Sequence, residues 1–182
     1  CEPIGAALAN FEANGGVPCS SARDVAAGLN TLLVCVFNAE QAHDVLFGPH
    51  GALDVLAQDA VIVMHTTMSP TEVRRLADTA SEGGRTLLDA PVTGGKVGAD
   101  NGTLTVIVSG PPPALEQMRS LFDAYSQKIY EVGGSAGAAT TIKMVNQLLN
   151  GVNLVCTAEA LAFAVKAGAD PATAYEVVTH GT

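Results

Sequence analysis

Four short apolar runs constrain this chain more than anything else in it: TLLVCVF (31–37), AVIVM (60–64), TLLDA (86–90) and LTVIVS (104–109). Strict alternation of apolar and polar residues marks a strand with one wet face. Unbroken runs this short, bounded by turn residues, mark strands buried on both faces. Segments of helical character stand between them. Residues 4–14 place Ile4, Leu8 and Phe11 at i, i+4 and i+7, a helix closed by Gly15-Gly16, and Ser20-Ser21 offers an N-cap for a short helix through Ala27. Residues 39–47 read as a helix ending at Gly48-Pro49, and 70–81 as one that starts on Pro70 and stops at Gly83-Gly84. Pro111 to Pro113 open another helix through Ala124, and KIYEV (128–132) is a fifth strand. Strands alternating with helices predict βαβ units, and therefore an α/β fold with a doubly wound, mainly parallel sheet.

The pattern changes after residue 133. A helical segment runs from Ala138 to Lys166, about 45 Å at 1.5 Å per residue. Its length suits a connector leaving an α/β domain. Asp170-Pro171 then caps a last short helix. The expected organisation is a Rossmann-like domain over 1–133, followed over 134–182 by the connector helix and the start of an all-helical domain.

Nine Lys and Arg against eighteen Asp and Glu, a net charge of −9, give no electrostatic footprint for nucleic acid. No stretch approaches the run of about 20 uncharged apolar residues of a membrane span, and no basic segment with a cleavage site opens the chain. Neither a nucleic-acid nor a membrane partner is expected. With five Phe, three Tyr and no Trp, the core must be small and aliphatic. The four cysteines (Cys1, Cys19, Cys35, Cys156) form no CxxC pair and the four histidines are scattered, so no metal site is expected. Cys35 in a strand and Cys156 in a helix read as small buried hydrophobes, in a reduced cytoplasmic setting.

Two places suit chemistry. The loop DAPVTGG (89–95) follows the end of a buried strand, where ligands sit on open α/β sheets. Gly94 and Gly95 let backbone N–H groups approach an anion and Thr93 adds a hydroxyl; the same residues also suit a plain tight turn. On the long helix, Ile142, Val145, Leu148, Leu149, Val152 and Val155 make a broad apolar face. Lys143, Asn146, Gln147 and Asn150 fall at i, i+3, i+4 and i+7, one polar stripe holding three amides and one cation. Amides suit orientation of a polar substrate and a desolvated lysine suits proton transfer, though a helix edge facing water has the same look. Asn38 and Thr66-Thr67 end two strands and read either as cofactor contacts or as helix caps. Glu2 precedes a helix, and His65 has no assignable carboxylate partner and reads as structural.

DAPVTGG (89–95), then GTLTVIVSG (102–110), then GSAG (134–137), then Lys143-Met144-Val145-Asn146-Gln147, together resemble the β-hydroxyacid dehydrogenase family, with most likeness to its L-threonate dehydrogenase branch. The resemblance implies an NAD-dependent oxidoreductase, with NADP possible, that transfers hydride between a nicotinamide cofactor and the hydroxyl carbon of a small hydroxyacid of L-threonate or 3-hydroxyisobutyrate type. It implies that Lys143 gives or takes the hydroxyl proton, that Asn146 or Gln147 orients the substrate, and that Thr93, Gly94 and Gly95 form the substrate loop. Phe37 and Asn38 would line the cofactor, Thr67 would match the family's cofactor-contacting Thr, and Glu2 would read the ribose. The resemblance also implies a homodimer or homotetramer for the full-length protein. Met64 stands where the family usually has Asp, Thr93 where many members have Ser, and the GxGxxG of the first strand–turn–helix does not occur in the chain. The expectation is a chain truncated at both ends, lacking its first β-α-β stretch and inactive alone. A different class remains open: a catalytically inactive dehydrogenase-like module that binds a metabolite or a protein.

Overall fold

The computed structural model describes residues 5–180. The chain divides into two compact units, Cys1–Lys143 and Met144–Thr182.

In the first unit, α1 (Gly5–Ala13) and α2 (Ala22–Ala26) precede β1 (Thr31–Val34), α3 (Ala39–Phe47), a 3-10 turn (Leu53–Val55) and β2 (Val61–Met64). There follow α4 (Pro70–Glu82), β3 (Thr86–Asp89), β4 (Val92–Thr93), α5 (Gly95–Asp100), β5 (Leu104–Val108), α6 (Pro112–Asp123) and β6 (Ser126–Glu131). Strands β1, β2 and β3 are parallel neighbours, with Thr31 beside Val61 and Val61 beside Thr86. All four residues of β2 are buried, because its two faces feed two cores. Ile62 and Met64 pack with Leu32, Val34, Leu46, Val73 and Leu76, whereas Val61 and Val63 pack with Leu88, Val106, Val108, Met118 and Phe122. In β2 and β3 the aliphatic residues are buried as expected, and a sheet covered on both faces is what continuous apolar strands require. Leu33 in β1 and Phe37 beyond it are exposed, although the run 31–37 was expected to be a buried strand.

The second sheet orders β4, β5 and β6, with β4–β5 antiparallel and β5–β6 parallel. An antiparallel bridge between Asp89 and Ser109 ties β5 to the end of β3 through two backbone hydrogen bonds of 3.0 and 2.9 Å. The sheets are mainly parallel, as expected, but β5 runs against β3 and β4. Apolar periodicity carries no strand direction, so this reversal was invisible in the sequence. The loop expected over residues 91–102 also holds structure, since Val92-Thr93 pairs with β5 and Gly95–Asp100 is helical. Strand β1 stops at Val34 instead of reaching residue 37 because the next free amide, Val36 N–H, donates to Thr66 Oγ1 (2.9 Å) instead of extending the ladder. Cys35 and Cys156 are both exposed, contrary to expectation.

The long helix is α7 (Ala138–Lys166, 29 residues), within which the division between units falls. Its bounds match those predicted. In the second unit none of the described residues 144–180 is buried, whether on α7 or on α8 (Pro171–His180). By length and a mean hydropathy of 1.6, α7 is apolar enough to cross a membrane. No run of about 20 uncharged apolar residues occurs in it, because Lys143 and Glu159 bound the uncharged stretch and Asn146, Gln147, Asn150 and Asn153 interrupt its apolar character.

Candidate active site

The parallel strands β1, β2 and β3 end together, and the segments that leave them carry most of the predicted site residues of the first unit. Past β1, Phe37 is 85% exposed. Asn38 caps α3, its Oδ1 accepting from Gln41 N–H at 2.9 Å, so its side chain does structural work. Past β2, Thr66 is buried and holds Val36, which leaves Thr67 exposed. Glu2 lies outside the described residues.

Past β3, Thr93 pairs with Thr105 at the start of β5 and is partly buried. Gly94 has φ +127 and Gly95 φ +60, and a Cβ on Gly94 would lie 3.1 Å from Leu104 Cδ2. The chain therefore turns through backbone conformations that favour glycine, and it exposes both residues. Lys96 beside them is exposed and ion-paired with Asp100.

His65 and Tyr125 brace this edge. His65 is buried, with Nδ1 2.5 Å from the Ala90 carbonyl and Nε2 3.0 Å from the Tyr125 hydroxyl. The carbonyl can only accept, so Nδ1 carries the proton and neutral Nε2 accepts from the phenol. Burial holds His65 below the usual histidine range, which keeps it neutral. Burial, with the Cys35 thiol nearby, pushes the Tyr125 phenol up. The pair joins β2 to the start of β6, in agreement with a structural His65.

Lys143 is 7% exposed, and burial pushes its ammonium below the ordinary lysine range. It lies on the buried side of the first turns of α7, with Ala139 and Thr140. One carboxylate holds that turn. Asp89, the last residue of β3, is fully buried and accepts from Gly137 N–H (2.8 Å), Thr140 N–H (2.9 Å), Thr140 Oγ1 (2.6 Å) and Ser109 Oγ (3.3 Å). Ser109 Oγ in turn accepts from Ala139 N–H at 3.1 Å. A helix begins with backbone donors that have no partner inside it, and an anion there is further favoured by the helix dipole. Sequence reasoning missed Asp89 because its partners lie 48 and 51 positions away. The available signal was an acidic residue closing an otherwise apolar strand.

On the part of α7 that belongs to the second unit, Asn146 is partly buried and accepts from Asn150 Nδ2 at 3.3 Å, whereas Gln147 is exposed. Two surface clefts of about 250 and 360 Å³ are lined by other residues, among them Arg74 and Arg85 in one and His43 and Arg75 in the other. No group of three or more His, Cys, Asp or Glu suited to a metal occurs among the described residues.

Residues 4–134 match the family model of the NAD binding domain of 6-phosphogluconate dehydrogenase. Residues 137–182 match the model described as NAD-binding of NADP-dependent 3-hydroxyisobutyrate dehydrogenase. The chain is 36% identical over 173 residues to L-threonate dehydrogenase of Cupriavidus necator, covering 95% of this chain and 58% of that one. It is 36% identical to 2-hydroxy-3-oxopropionate reductase of Escherichia coli, covering 92% and 57%. Against the crystal structure of 3-hydroxyisobutyrate dehydrogenase from Salmonella typhimurium it has a TM-score of 0.93 at 33% identity, covering 99% and 63%. The chain thus spans somewhat over half the length of these relatives.

Proposed function

We propose a function from one premise: the chain belongs to the family of the NAD binding domain of 6-phosphogluconate dehydrogenase. Within the protein that carries it, the chain serves an NAD(P)-dependent oxidoreductase acting on a small hydroxyacid of the L-threonate or 3-hydroxyisobutyrate type. The observation that carries this reading is Lys143, a cation that is buried and whose depressed pKa has burial as its cause. A surface lysine holds its proton at neutral pH. A desolvated one can take the proton from a substrate hydroxyl and return it.

In the oxidative direction the hydroxyl proton passes to Lys143 Nζ, the carbon–oxygen double bond forms, and the carbinol hydrogen leaves with its electron pair. A bound nicotinamide dinucleotide supplies the acceptor of that hydride, or its donor in reverse. Phe37 and Thr67, exposed just past β1 and β2, are the residues that would hold the nicotinamide end, with Asn38 fixing the turn between Phe37 and α3. Such a cofactor is compatible with the carboxyl edge of the parallel strands, where backbone and small side chains are accessible. Glu2 would meet the adenosine ribose. Thr93, Gly94 and Gly95 would take the substrate carboxylate or hydroxyls, because a backbone without Cβ atoms allows close approach. Asn146 or Gln147 would orient the substrate. Retention of Lys143 supports an enzyme over an inactive binding module. A cytoplasmic setting and assembly as a homodimer or homotetramer belong to the same reading, the first supported by free Cys19, Cys35 and Cys156.

The test is Lys143→Ala in the full-length protein, assayed with L-threonate and 3-hydroxyisobutyrate and both dinucleotides. We expect kcat to fall by about 100-fold or more, as for loss of a general acid–base group. A variant within about tenfold of the wild type contradicts the assignment.

A further inference from the structure

The first turn of α7 has no cap of its own. Gly137 stands at the cap position, its carbonyl accepting from Thr141 N–H at 3.1 Å. It has φ +95, and a Cβ there would come within 2.6 Å of Arg74 Nη1 and 3.0 Å of the Pro70 carbonyl. Ser, Thr, Asp or Asn, the usual capping residues, cannot stand at this point without strain. The cap comes instead from β3. Asp89 and Ser109, paired to each other through their backbones, together hold the amides of Gly137, Ala139 and Thr140 and the Thr140 hydroxyl. Several bonds to consecutive residues of one turn fix the helix in rotation as well as in translation.

The two directions in which the chain leaves this lock matter. Lys143 is three residues beyond Thr140, about 4.5 Å further along the helix and on the same buried side. Thr93 is four residues beyond Asp89, about 13 Å along an extended strand. Asp89 from β3 meets the first turn of α7, and Arg74 from α4 lies beside Gly137. We infer that Asp89, acting with Ser109 and Thr140, is the positioning residue that sets Lys143 against the strand carrying Thr93, Gly94 and Gly95. The inference rests on the reading of Lys143 as the proton-transfer group.

A neutral amide at position 89 keeps the shape but turns an N–H toward groups that themselves donate, so the turn must shift. Displacing a catalytic group by about an ångström can cost about 100-fold in rate. The experiment compares Asp89→Asn, Thr140→Val, Thr140→Ser and Lys143→Ala in the full-length protein, well below each variant's Tm. For Asp89→Asn we expect kcat to fall by about 10- to 100-fold with dinucleotide Kd unchanged within about threefold. Thr140→Val, which keeps the side-chain shape, should lose about 3- to 10-fold in kcat, and Thr140→Ser should recover most of that loss. The Thr140 pair decides the matter if Asp89→Asn fails to fold. A lowered Tm with unchanged kcat per folded molecule, while Lys143→Ala is inactive, overturns the positioning role and leaves the lysine reading standing. A Lys143→Ala variant that remains active overturns the lysine reading, and the positioning role with it.

Discussion

Strand β2 and helix α7 are both rich in aliphatic residues, yet burial treats them in opposite ways. In β2 every residue is buried, and the apolar side chains divide evenly between two cores. In α7 the buried residues are Ala139, Thr140 and Lys143, while Ile142, Met144, Val145, Leu148 and Leu154 are exposed. The first turns of the helix thus present their polar groups inward. Hydropathy decides burial where the energetics of the core dominate. In α7 a carboxylate and a serine set the orientation of the first turn, and the polar side faces the sheet because its partners are there.

The sharpest way to break this comparison is to remove an equal side chain from each region. Leu88→Ala in β3, which joins the core fed by β2, should cost about 2–5 kcal/mol of unfolding free energy, as buried Leu truncations do. Leu154→Ala on α7 should change the stability of the protomer by less than about 0.5 kcal/mol in the same urea titration. Comparable losses at the two sites would mean that Leu154 is covered in the whole protein.

Glycines sharpen the contrast by giving opposite signs. Gly94→Ala forces a side chain into φ +127 and against Leu104, and should destabilise by about 1–3 kcal/mol. Gly151→Ala, in the middle of α7 with open space around it, should stabilise by about 1 kcal/mol through helix propensity. Chemical denaturation of both variants checks the pair.

The smallest effect expected is a pH effect at His65. Its folded pKa is depressed by burial, so between that value and the unfolded value of about 6.5 the unfolded chain binds more protons. This contribution is fully present above about pH 6.5 and is lost as the pH falls toward the folded pKa. Tm should drop between pH 7 and pH 5 more in the wild type than in His65→Asn. Equal slopes would place His65 in water.

Much of the fold was legible because continuous apolar strands, helical spacing and Gly or Pro stops agree with one another. Runs such as Val61 to Met64 admit few arrangements other than a sheet covered on both faces. Strand direction was not legible. The antiparallel course of β5 depends on the short return through α5, and the glycines at 94, 95 and 98 read as a loop. Of the site, the loop at Thr93 and the unusual composition around Lys143 could be read from residue types. That Lys143 is buried could not, since the helical pattern alone makes Ile142 and Val145 the inward face. Asp89 was hidden for a related reason: tertiary capping joins residues far apart in sequence, and no local pattern records it. Asn38 and Thr66 show the reverse case, where strand-end polar residues turned to local hydrogen bonds.

Lys143 itself is the most direct place to test these conclusions. In the full-length protein, with its lysines labelled and Lys143→Arg used for assignment, an NMR titration reads the ionisation of the Lys143 amine. A midpoint clearly below the ordinary lysine value of about 10.4 is expected, because burial disfavours the ammonium. A midpoint at the ordinary value would show a solvated surface lysine and would contradict the proposed role in proton transfer.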